Sequence, residues 1–102
     1  MEKRPIVRLK RTLTKENEWL YVLSLLKKRG RCYAYGMQNE IENNFGWKPS
    51  LITTYIVLYM LEREGLIRSE YDGRRKYYKI TTEGLKTLEI GKDILKKTAE
   101  SI

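Results

Sequence analysis

The chain contains no histidine and a single cysteine among its 102 residues. One cysteine excludes an intrachain disulfide and leaves a zinc site of the usual kind without ligands. Without histidine, acid–base chemistry near neutral pH lacks its ordinary carrier. Cys32 therefore reads as a small buried apolar residue. Long apolar runs are missing too: none approaches the ~18 residues that span a bilayer, and no signal-peptide pattern opens the chain. No nucleophile stands near a base, and the acidic residues fall mostly among Lys and Arg on helix faces. An enzyme is the least favoured reading, and no cofactor, metal or membrane partner is expected.

What the chain has is positive charge, unevenly placed. The formal net charge is +8, from 21 basic and 13 acidic residues. Residues 1–15 hold six basic residues against one acidic, and residues 66–80 hold five against two. Elsewhere the signs balance. A merely solubilising surface is not segregated in this way, and the sign favours an anionic partner such as nucleic acid. The length allows one compact domain that buries a modest share of its surface, so a partner chain would be a useful source of core.

The organising stretch is SLITTYIVLYMLEREGLI, from Ser50 to Ile67. Ser50 is suited to cap a helix and Gly65 to end it. Leu51, Thr54, Tyr55, Leu58 and Leu61 recur at helical spacing as an inward stripe, and Ser50, Thr53, Ile56, Tyr59 and Arg63 form the outward one. Upstream, Met1 to Thr12 reads as a basic arm in which Pro5 discourages helix. Its Ile6-Val7-Arg8-Leu9 alternates like a strand, and a disordered tail is the other possibility. Thr14 is placed to cap a first helix with Trp19, Leu20, Val22, Leu23, Leu25 and Leu26 on its apolar face, closed by Gly30. After a short aromatic stretch, a second helix spans about Met37 to Phe45. A turn through Trp47-Lys48-Pro49 then leads to the central helix, a helix-turn-helix pattern.

Beyond Gly65 the apolar period changes from 3.6 to 2. Leu66 to Tyr71 reads as a strand, Asp72-Gly73 as a hairpin turn and Arg74 to Ile80 as the return strand. One face of that return strand carries Arg75, Tyr77 and Lys79, which makes the ribbon a basic wing. Thr81 can cap a last helix whose Leu85, Leu88, Leu95, Ala99 and Ile102 follow an a/d-like series with Lys92 in its gap. Either a second copy covers that seam, or the helix folds back over the first one.

The segments YAYGMQNEI, TTYIVLYMLEREGLI and GRRKYYKITTEGLKTL, spanning Tyr33 to Leu88, resemble the PadR-like transcriptional regulators, a winged-helix family. Arg75-Lys76-Tyr77-Tyr78-Lys79-Ile80-Thr81 with Gly84 is the most specific part. The resemblance implies an α+β winged helix-turn-helix with a two-stranded wing and a C-terminal dimerisation helix. It also implies a homodimeric repressor on a pseudo-palindromic operator, of the smaller subgroup with a single C-terminal helix. Some relatives take aromatic or drug-like effectors between dimer halves, so a small-molecule effector is an open question. Two departures stand out. Ile52-Thr53-Thr54 replaces the family's common Gly-Thr-Leu, and Ile56 occupies a position often held by Pro.

The expected organisation is an arm over 1–12, a winged-helix domain over 13–80 and a dimerisation helix over 81–102, working in the cytoplasm at the nucleoid. The expected partners are double-stranded DNA and a second copy of the chain. The central helix would enter the major groove by its N-terminal half. Expected contacts are Ser50, Thr53, Thr54, Ile56 and Arg63 on that helix and Arg74, Arg75, Lys76 and Tyr77 on the wing. Lys3, Arg4, Arg8, Lys10 and Arg11 of the arm would add sequence-independent affinity. Leu85, Leu88, Leu95, Ala99 and Ile102 would form the dimer interface. Competing readings are an architectural protein coating DNA without sequence preference, and an interaction module using exposed Ile52, Ile56 and Tyr59.

Overall fold

The computed structural model describes residues 1–102. Five helices and one hairpin follow in the order α1 (Arg4–Leu13), a 3-10 turn (Lys15–Asn17), α2 (Glu18–Arg29), α3 (Ala34–Phe45), α4 (Leu51–Arg63), β1 (Ile67–Asp72), β2 (Arg75–Ile80) and α5 (Thr82–Ser101). This is the winged helix-turn-helix expected, an α+β fold with a C-terminal helix.

The basic arm is helical, neither strand nor coil. Pro5 lies in the first turn of α1, where a missing N–H forfeits no intrahelical bond, so it starts the helix rather than blocking it. Thr14, expected to cap the next helix, ends this one instead: its hydroxyl donates to the Lys10 carbonyl at 2.7 Å. The chain then turns through Asn17, whose amide donates to the Thr12 carbonyl at 2.6 Å and whose oxygen accepts from the Trp19 indole at 3.2 Å. The next helix therefore starts at Glu18, and α3 starts at Ala34, ahead of the expected Met37.

The core is small. Val22, Leu23, Leu25 and Leu26 of α2 meet Met37 and Ile41 of α3, Leu58 and Leu61 of α4, Ile67, Tyr78 and Leu88. Ser50 caps α4, its Oγ accepting from the Thr53 N–H at 3.1 Å. The other end closes with Gly65 at φ +77°, where Leu66 N–H donates to Leu61 and Gly65 N–H to Glu62, the paired bonds of a left-handed helix stop. This stop aims β1 directly away from α4 and so places the wing beside it.

The strands pair antiparallel from Ile67↔Ile80 to Asp72↔Arg75. The two-residue turn is thus Gly73-Arg74, one position later than expected. Gly73 has φ +64° and Arg74 has no positive φ, the glycine-first arrangement that suits a tight hairpin. Cys32 adds a single bridge to Tyr78 on the free side of β2, which fastens the wing's base to the helical body. Burial raises the pKa of the Cys32 thiol above its ordinary value.

Thr81 caps α5, accepting from Gly84 N–H at 3.1 Å and donating to the Gly65 carbonyl at 2.7 Å. Gly84 and Gly91 let α5 lie close: a Cβ at Gly84 would stand 2.0 Å from the Leu66 carbonyl oxygen, and one at Gly91 2.8 Å from the Trp19 ring. The first half of α5 therefore folds back on α2, and past Gly91 every residue is exposed.

Candidate nucleic-acid interface

Helical geometry fixes what α4 shows to solvent. Ile52, Ile56, Tyr59 and Arg63 recur at steps of four, three and four and form its outermost stripe. Ile52 is 75% exposed, Ile56 54% and Tyr59 65%. Thr53 and Met60 lie on one flank of the stripe and Tyr55 on the other. Tyr55 was expected to face inward, but it sits at the edge of the buried stripe and is 53% exposed.

Each flank opens on a cleft. On the Thr53 side a cleft of about 400 Å³ is lined by Lys15, Trp47, Lys48 and Ser50, with Glu18 at its floor. The Ser50 and Thr53 hydroxyls stand 2.7 Å apart at its rim. On the Tyr55 side a cleft of about 340 Å³ joins α4 to the wing through Tyr35, Tyr55, Tyr71, Arg75 and Lys76. The outer face of α4 is thus a ridge of apolar side chains between two basic, hydroxyl-bearing grooves.

The wing's charges are sorted by their neighbours. Arg31, just after α2, bonds Asp72 at 2.9 Å, which raises its pKa further above the ordinary guanidinium value. It also stacks 3.9 Å from the Tyr77 ring. Tyr77 meets Tyr33 edge-on at 5.8 Å, and Arg75 lies 4.1 Å over Tyr33. Lys79 takes Glu70 at 3.0 Å. Both wing carboxylates are therefore engaged by Arg31 and Lys79, while no ion pair of the chain includes Arg63, Arg74, Arg75 or Lys76. Four cations at the end of α4 and toward the tip of the wing are thus free of carboxylates. Stacking of a guanidinium on a ring contributes about 0.5–1 kcal/mol at exposed sites, enough to bias Arg75 toward one orientation without neutralising it.

Most of the expected contact residues are exposed or half-buried here: Ser50, Thr53, Ile56, Arg63, Arg74, Arg75, Lys76 and Tyr77. Thr54 is not among them. It is fully buried, and its hydroxyl donates to Glu18 at 2.9 Å, so it belongs to the core. Tyr78 is buried at 5% exposure, and burial raises its pKa. Sequence reasoning missed Tyr35, Tyr55 and Tyr71, which line the wing-side cleft, and Arg31, which takes a wing carboxylate. Tyr55 was within reach of a finer helical count, whereas Arg31 and Asp72 are 41 positions apart and only the fold brings them together.

The arm's cations lie on α1. Arg4, Arg8 and Arg11 share one face, while Ile6, Leu9 and Leu13 share the opposite one; Ile6 is 46% exposed and Leu9 54%. Lys10 is paired with Glu2 at 2.7 Å. On α5, Leu85, Leu95, Ala99 and Ile102 are exposed, but Leu88, at 3%, is covered within the chain and leaves the expected interface. Ile90 and Ile94, at 60% and 59%, are exposed and lie outside the expected seam.

A helix-turn-helix, a basic two-stranded wing and an outward helix between them define a winged-helix DNA-binding regulator. Residues 22–90 match the Transcriptional regulator PadR-like family, and the chain belongs to that family. It is similar to a PadR family transcription regulator from hypervirulent Clostridium difficile, at 28% identity over 81% of this chain and 91% of that one, with a TM-score of 0.74. It is also similar to a PadR family transcriptional regulator from Eggerthella lenta, at 27% identity over 94% of this chain and 87% of that one, with a TM-score of 0.82. A winged-helix DNA-binding protein from STIV shares the fold, at 23% identity over 83% and 92% of the two chains, with a TM-score of 0.73. No curated protein matches the sequence. The family is one of transcription regulators, not enzymes. No helix is long and apolar enough to cross a membrane.

Proposed function

We propose that the chain is a homodimeric repressor that reads a specific operator, with the N-terminal half of α4 in the major groove and the wing on the backbone or in the adjacent minor groove. The observation that carries this reading is the outward ridge of α4 flanked on its wing side by Arg75 and Lys76, which have no carboxylate partner. Ser50 and Thr53 meet phosphate or a base edge on one flank, with Lys15 and Lys48 beside them. Arg74, Arg75, Lys76 and Tyr77 grip the backbone on the other, and Arg63 meets a phosphate farther along. The basic face of α1 adds affinity without regard to sequence.

Dimerisation rests on apolar surface that one chain leaves uncovered. Only 17 of 102 residues are buried, the second half of α5 is exposed throughout, and Ile6 and Leu9 on the apolar face of α1 are about half exposed. Two copies joined through α5 and α1 cover both, and a two-fold axis presents paired α4 helices to half-sites about one helical turn apart, roughly 34–36 Å.

Selection from random duplex DNA, followed by competition of the winners against bulk DNA, tests the proposal. Selected sites should resist bulk competitor. Affinity should fall ~10³–10⁵-fold from low to moderate salt if six to ten phosphates are neutralised per dimer, at a slope of about −0.9 each. Equal competition by any duplex would favour an architectural protein. Absence of binding at physiological salt would leave the apolar strip as a protein-binding surface.

A further inference from the structure

Between Ser50 and Met60, α4 carries no Arg, Lys, Asn, Gln, Asp or Glu. These are the side chains that read base edges by paired hydrogen bonds in the major groove. The most exposed positions on the same stretch are apolar: Ile52 and Ile56, one turn apart on the outermost line of the helix. Large apolar side chains grouped on an exposed ridge mark a contact surface rather than ordinary exterior. The ridge is bordered by Lys15 and Lys48 on one side and by Arg75 and Lys76 on the other, so what covers it is polyanionic. The one apolar group that a duplex offers in its major groove is the C5-methyl of thymine.

We infer that Ile52 and Ile56 read thymine methyl groups, so that the operator half-site is specified by the position of thymines rather than by hydrogen-bonded guanine or adenine. The inference rests on the DNA-binding reading above and adds what the helix recognises. Four residues of α-helix advance by about 6 Å, close to two base steps of roughly 3.4 Å, so the two isoleucines address thymines about two steps apart. Tyr59, one turn farther, extends the apolar edge toward Arg63. Thr53, on the flank, also has a methyl group to offer and a hydroxyl for a neighbouring base.

The test uses the full chain and its selected site. Thymines of the half-site are replaced one at a time by deoxyuridine, which keeps every hydrogen-bonding group and removes only the methyl. At two positions about two steps apart, each replacement should weaken binding about fourfold, the equivalent of ~0.8 kcal/mol for one buried methyl-sized group. Ile52→Ala should abolish the loss at one of these positions and Ile56→Ala at the other, with the salt slope unchanged. Both side chains are exposed, so both variants should keep the parent melting temperature. Deoxyuridine sites that bind as tightly as thymine sites would overturn the inference while leaving specific binding intact. So would variants that bind the thymine site as well as the parent does. A chain that selects no sequence at all removes the operator reading and the inference together. Self-association that falls in Ile52→Ala while DNA affinity holds would assign the ridge to a protein partner and also overturn it.

Discussion

Glu18 and Thr54 form a polar pair between α2 and α4, in a core that is otherwise apolar. Glu18 is 2% exposed; its Oε2 accepts from the Thr54 hydroxyl, and its Oε1 is buried without a protein partner. Burial is the larger influence and raises its pKa above the ordinary carboxylate value, against the smaller downward pull of the Thr54 bond. The stability that this shift contributes is fully present below the unfolded carboxylate value of about 4.3 and is lost as pH rises through the folded value. Glu18→Gln removes the titration and keeps an acceptor for Thr54. Its melting temperature should therefore exceed the parent's near neutral pH, and the gap should close toward pH 4. A constant gap across a series of thermal melts would exclude Glu18 as the titrating group.

The glycines of α5 separate two kinds of close approach. At Gly84 the obstacle to a methyl group is the Leu66 carbonyl, which is backbone and cannot swing aside. At Gly91 it is the far ends of the Trp19 and Leu20 side chains. Alanine gains about 1 kcal/mol over glycine in a helix, whereas overpacking typically costs about 1–3 kcal/mol. Gly84→Ala should thus destabilise by roughly 2 kcal/mol or more in urea unfolding, and Gly91→Ala should stay within about 1 kcal/mol of the parent.

For the elements, the periodicities predict three helices, the hairpin and the terminal helix, because amphipathic spacing and capping residues act over a few positions. The arm departs from expectation because Pro5 acts through its place in the first turn rather than through its residue type. The hairpin turn moves by one because either Asp72-Gly73 or Gly73-Arg74 can close a ribbon, and pairing Ile67 with Ile80 over the core selects the second. The wing is also where an electrostatic prediction belongs. Replacing Arg74, Arg75 and Lys76 with Ala removes cations that no carboxylate of the chain shares. Binding should weaken alike on specific and random DNA, and the salt slope should flatten by up to about 0.9 for each phosphate that is no longer neutralised. A weakening confined to the selected site would instead make the wing a reader of sequence.

At the scale of the molecule, the distinction is between apolar residues that the chain covers and those it leaves bare. Leu88 is inside, so Leu88→Ala should cost about 2–5 kcal/mol of stability whatever the assembly. Ile90 and Ile94 are outside. Changing both to Glu should yield a monomer in sedimentation that keeps its helical spectrum and loses most of its DNA affinity, since each half-site would be held alone. If that double variant sediments as a dimer, the Ile90–Ile94 face of α5 is not the joining surface.

Chain order alone determined the helix-turn-helix, the wing and the basic character of its tip, since each depends on residues a few positions apart. The tertiary structure decided which side of each element is covered: Leu88 was drawn inside, and Tyr55, Ile90 and Ile94 were left out. It also joined Arg31 to Asp72 and Glu18 to Thr54. Local patterns give the angle of a side chain about its own helix, but burial depends on where neighbouring helices cross. Those crossings are set by residues far apart in sequence, such as Gly91 against Trp19.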